Sequence, residues 1–188
     1  MEQFSIPGAG GIIVKDIDGE KNILLQTRVK PFALWEDGLL EIPAGKIRAF
    51  ESIFETLKRE IKEETGLDVV EIVGENASLI YNGNHYKVLN FMPFSCAQNI
   101  EGKYPIMVFV FICNVEGELV HATEESKDYR WTSLSQIETM IEKNPERFYP
   151  MHVDTLKKYV LSCRYAKTVS CSYVLLTFFF LLTCLKVP

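Results

Sequence analysis

Apolar positions along this chain follow two different repeats. Residues 9–14 and 22–28 are short runs rich in Ile, Leu and Val, separated by Asp18-Gly19, and read as two strands of a hairpin. Phe50, Ile53, Phe54, Leu57 and Ile61 then recur every three or four residues, which is one face of a helix. Gly66 supplies the left-handed residue that ends it, and Glu51 is expected in its first turn, where a negative charge suits the helix dipole. Residues 69–73, 78–81 and 85–94 have strand character, with Asn82-Gly83-Asn84 as a turn. Residues 104–115 form the longest apolar run before the C-terminal tail and suit a central strand covered on both faces. Helices are expected at 133–143 and 154–161. This mixed order of strands and helices predicts an α/β fold with a sheet between helices. One domain at 1–165, followed by an apolar tail at 166–188, accounts for the 188 residues, and 47% hydrophobic content is enough for a full core.

The helix carries an acidic edge. With Glu60 set to zero and about 100° per residue, the apolar positions spread from roughly 20° to 120°. Glu64, Glu60 and Glu63 then fall near 40°, 0° and −60°. Carboxylates next to a buried stripe repel one another and lose water, and a divalent cation removes that penalty. The bland alternative is a solvated acidic face, with Arg59 pairing to Glu55 and Glu63 at four-residue spacing.

Residues 45–67 decide between these readings, because they resemble the Nudix box, G-x5-E-x7-R-E-U-x-E-E-x-G-U with U a bulky aliphatic residue. Gly45, Glu51, Arg59, Glu60, Ile61, Glu63, Glu64, Gly66 and Leu67 fill every specified position. The seven fixed letters alone would arise by chance in on the order of one in 10⁸ windows. Resemblance to the MutT/Nudix hydrolases implies an α/β/α sandwich with a mixed β-sheet between helices. It also implies a Mg²⁺-dependent enzyme (Mn²⁺ in some members) that hydrolyses a phosphoanhydride in a nucleoside diphosphate linked to another group. Carried over residue by residue, it makes Glu60 and Glu64 metal ligands and Glu63 a ligand or the proton acceptor for the attacking water. The Gly45 carbonyl would contribute to the metal site. Arg59 would orient Glu60, and Glu51 would hold the loop or reach a metal through water. Glu124 and Glu125 look like the family's late acidic loop, together with Asp128-Tyr129-Arg130-Trp131, and Glu125 is the further catalytic candidate. Trp131 is read as a packing residue anchoring that loop.

Substrate contacts are less determined. Arg28 ends the second strand, where it would grip a phosphate or remain a surface cation. Trp35, Phe32 and Tyr81 would stack a base or simply pack. His85, His121 and His152 lack metal-ligand spacing and read as ordinary. The expected partner is a small nucleotide: a nucleoside triphosphate, ADP-ribose or a nucleotide sugar, or a dinucleoside polyphosphate. A net charge of −5 without a basic stripe argues against dedicated nucleic-acid binding. A homodimer is compatible with the pattern. The alternative function is a Nudix domain that senses nucleotide without cleaving it.

Five cysteines without CxxC spacing, and a polar start without signal-peptide character, point to a reducing cytoplasm. Cys96 and Cys113 are expected to be buried thiols. Residues 169–185 are uncharged and apolar. They read as a membrane anchor, a helix packing on a partner, or an aberrant extension, and as a helix they would span about 25 Å.

Overall fold

The computed structural model describes residues 2–169 except 34 and 103. The expected tail therefore lies almost wholly outside the described residues. Among those described, no helix is long and apolar enough to cross a membrane.

The sheet is built around two long strands, β1 (Ile6–Ile17) and β9 (Ile106–Glu116), which run parallel from Ile6↔Ile106 to Ile13↔Cys113. The other pairings between strands of the described residues are antiparallel. β2 (Glu20–Arg28) folds back on the end of β1, and β10 (Ser126–Ser133) lies on its outer side. β3 (Leu40–Glu41) pairs with β2, and β4 (Ala44–Lys46) with the start of β1. β5 (Asp68–Ile72) and β8 (Ser95–Gln98) both pair with β9. The sheet order is thus β10-β2-β1-β9-β5.

Alternation along these strands divides the core in two. Ile12, Ile23, Leu25, Val108 and Val110 pack against α2 (Leu134–Lys143) and α3 (Pro150–Val169). Ile13, Leu24, Phe111 and Cys113 pack against α1 (Ile53–Thr65). The result is a mixed sheet between helical layers, with β9 covered on both faces as its apolar run predicts. The domain boundary expected at residue 165 falls inside α3.

Several local expectations are corrected. α1 starts three residues later than the apolar repeat suggests, because Ser52 caps it and Glu55 completes a capping box. Phe50 therefore lies in the approach turn, fully exposed at φ +63°, and Glu51 precedes the first turn instead of occupying it. Gly66 ends the helix at φ +79°, as expected. Residues 128–131 belong to β10 and not to an acidic loop. Cys96 is exposed on β8, an edge strand, whereas Cys113 is buried.

β6 (Leu79–Asn82) and β7 (Lys87–Asn90) form a separate two-stranded hairpin. Tyr81 stands on it with 66% of its surface exposed.

Candidate active site

A cleft of about 750 Å³ opens where β2, β3, β4, the last turns of α1 and the segment before β10 meet. The three box glutamates are buried in the order that their helical angles predict. Glu64 is almost wholly buried, the Glu60 side chain is 15% exposed, and that of Glu63 is 54% exposed. Register explains the grading, since Glu64 follows Leu57 and Ile61 down the buried stripe while Glu63 turns toward solvent.

Glu64 receives hydrogen bonds from Gln26 Nε2 at 2.7 Å and from the Ala44 amide at 3.3 Å, but no cationic side chain. Burial, then the neighbouring charges of Glu41 and Glu60, push its pKa up to about 8. Glu60 is also raised, by burial first, with Arg59 acting against the shift. Its carboxylate is pressed onto the backbone of Gly45: a Cβ there would lie 1.9 Å from Glu60 Cδ. A side chain at this position fits only if the Glu60 carboxylate moves away.

Arg59 organises the outer acids. Its guanidinium grips both Glu51 oxygens at 2.7 and 2.9 Å and also reaches Glu60, Glu63 and the Lys46 carbonyl. Glu51 is held down at a pKa of about 2, chiefly by that contact, and also accepts from Thr56 Oγ1. Among the described residues, no three acidic, histidine or cysteine side chains converge closely enough to hold a metal by themselves. The carboxylates lining this corner are Glu60, Glu64 and, behind them, Glu41, beside the Gly45 backbone.

Sequence reasoning missed the rear wall of the cleft. Glu41 is buried next to Glu64 and shares Gln26 with it, while Gln26 Oε1 is left without a partner. Arg28 is no free surface cation. It bonds Glu41 at 2.8 Å and Glu36 at 2.9 Å, and its guanidinium lies 4.5 Å from the Tyr149 ring. A polar Gln26 directly after the buried run Ile23–Leu25 was the signal available in the sequence. Arg28→Ala leaves Glu41 buried without its counter-ion, so it is expected to cost about 3 kcal/mol in urea unfolding at pH 7. Adding Glu41→Gln should recover most of that loss.

The other candidates are divided by the fold. Trp35, Glu124 and Glu125 line the cleft, with Lys30 Nζ 3.4 Å from Glu125. Lys46 and Arg48 add positive charge to the rim. Tyr81 is not brought into the cleft, and Phe32 is fully exposed outside it. Trp131 packs against the α1 side of the core, as expected of a packing residue, but from strand β10 and not as an anchor within a loop. The acidic segment is tied to the end of α1, because Ser126 Oγ and Tyr129 Oη both donate to the Glu64 carbonyl.

Comparison with known proteins places this geometry in a family. The family model described as NUDIX domain matches residues 6–152. No curated protein sequence matches the chain. Among solved structures, a MutT protein from Methanosarcina mazei Go1 is 23% identical, covers 85% of this chain and 95% of its own, and gives a TM-score of 0.54. The NUDIX domain of Shewanella oneidensis NrtR, complexed with ADP ribose, is 15% identical over 84% of this chain and 88% of its own, with a TM-score of 0.57. An Ap4A hydrolase from C. elegans, solved as a binary complex, is 17% identical over 86% and 98%, with a TM-score of 0.51. These likenesses establish the fold, and the family model spans well over half of the chain. The protein belongs to the NUDIX domain family.

Proposed function

We propose that the cleft binds a nucleoside diphosphate derivative together with Mg²⁺ or Mn²⁺, and that water cleaves a phosphoanhydride bond there. The observation that carries this reading is Glu64, a buried carboxylate lacking a cationic partner, beside Glu60 packed onto Gly45. Such a donor set fits a hard divalent cation, because it offers only oxygen and Glu64 has no cationic side chain against it. Glu60, Glu64 and the Gly45 carbonyl would hold the ion, with Glu51 contributing through water. When bound, the cation neutralises pyrophosphate charge and acidifies a water molecule.

The chain's own residues supply the remainder. Arg59 orients Glu60 through a guanidinium already anchored on Glu51. Glu63 is the most exposed of the three box acids and is suited to accept the proton of the attacking water, and Glu125 is the alternative acceptor across the cleft. Lys46 and Arg48 place positive charge at the rim of the cleft for phosphates, while Arg28 is held by Glu36 and Glu41. Trp35 is suited to stack a base. Tyr81 has no part in this reading.

A panel of nucleoside triphosphates, ADP-ribose, nucleotide sugars and dinucleoside polyphosphates, each with Mg²⁺ or with EDTA, tests the proposal. Metal-dependent release of a nucleoside phosphate from at least one member is the expected result. Tight binding without product release from any of them would instead indicate a sensor.

A further inference from the structure

His152 has no assigned role, yet it is buried in the wall of the cleft at 1% exposure. It sits in the first turn of α3, and its ring lies edge-on to Tyr149 at a centroid distance of 5.3 Å. The Ile42 amide donates to His152 Nδ1 at 3.3 Å, across 110 residues of sequence. Nδ1 must therefore carry its lone pair, which assigns the proton to Nε2. No acceptor among the described residues meets that Nε2–H. The imidazole also stays neutral, since burial and the nearby Arg28 hold its pKa down at about 3.

His152 lines the cleft and, among the described residues, Gln26 Oε1 is the buried side-chain atom left unpaired, so the Nε2–H is not a sealed, unsatisfied donor but one available to an acceptor on a bound ligand. Ile106, Val108 and Tyr104 line the same cleft, so a flat heterocycle suits this wall better than a phosphate group. We propose that His152 is a specificity-determining residue whose Nε2–H donates to a ring nitrogen or carbonyl oxygen on the heterocycle of the bound nucleotide. This rests on the reading that the cleft takes nucleotides.

Two amides separate the nitrogens. Asparagine can reproduce the acceptor for Ile42 but does not reach the Nε2 position, whereas the glutamine amide can reach it as a donor. Calorimetric binding of the α,β-methylene analogues of ADP, GDP and UDP should detect at least one ligand for the wild-type protein. His152→Asn is expected to weaken that ligand about tenfold, the equivalent of one lost hydrogen bond. His152→Gln should stay within about threefold of wild type. Methylenediphosphonate, which lacks a base, should bind all three proteins equally. In ¹⁵N-histidine spectra, the Nε2-protonated tautomer should be present in the free protein and its proton resonance should move on nucleotide addition.

Equal nucleotide binding by wild type and His152→Asn, with an unmoved resonance, overturns the role of His152 and leaves the nucleotide reading intact. An equal loss of methylenediphosphonate and nucleotide also overturns it, since the contact would then be to phosphate. No binding of any analogue by the wild type overturns both.

Discussion

Glu64→Gln is expected to stabilise the metal-free protein at pH 8 while abolishing turnover. Glu64 titrates at about 8 in the folded chain against an ordinary value of 4.5, because burial disfavours its charged form. The folded state therefore holds a proton that the unfolded state releases between those values. Stability from this group is complete below pH 4.5 and is lost as pH rises through about 8. The full difference is on the order of 5 kcal/mol. His152 acts in the opposite sense: its value falls from 6.5 to about 3, so its contribution is present above 6.5 and fades as pH drops. The two slopes oppose each other between pH 4.5 and 6.5, which leaves Glu64 to be read between 6.5 and 8. In EDTA, wild-type unfolding free energy should decline across that upper window, and the glutamine variant should be nearly flat. Its amide never ionises and can also serve Gln26 Oε1, which lacks a donor. Turnover should fall by roughly 10³-fold or more, because an anionic ligand worth several kcal/mol in the transition state is gone. A variant with the wild-type pH slope would show that Glu64 is not the buried acid described here.

Gly45→Ala should separate activity from stability in the other direction. The added Cβ would overlap Glu60 Cδ at 1.9 Å, so the carboxylate has to move. It is the free end of a flexible side chain, and β4 keeps its pairing of Gly45 with Ala9. Thermal unfolding should therefore change by no more than about 1 kcal/mol, within the range of ordinary substitutions. Displacement of a catalytic group by about 1 Å is expected to lower kcat by ~10²-fold with little change in KM. Full activity in this variant would mean that the position of Glu60 against Gly45 is incidental.

These two positions also show what the sequence could and could not reveal. Gly45 and Glu64 are letters of a contiguous signature, and a single helix converts their spacing into geometry. The central place of β9 is likewise legible, because its long apolar run needs cover on two faces, whereas its parallel pairing with β1 is not. β10 was missed because Ser126–Ser133 alternates charged and aromatic residues that resemble a loop, and only its pairing with β2 orders them. Phe50 misled the helical repeat because the capping box at Ser52 fixes the start of α1, whatever the hydrophobicity before it. The rear wall was hidden for a different reason. Gln26, Glu41 and His152 come from three elements and acquire meaning only when β2, β3 and α3 converge behind the box helix.

Mn²⁺ titration followed by electron paramagnetic resonance, with proton release recorded at pH 7.5, is the decisive measurement on this site. Wild type is expected to bind Mn²⁺ and discharge up to one proton per Glu64 engaged, whereas Glu64→Gln loses that binding step and its proton. Equal binding by both proteins, or binding by wild type without proton release, would contradict a metal site built on this buried carboxyl.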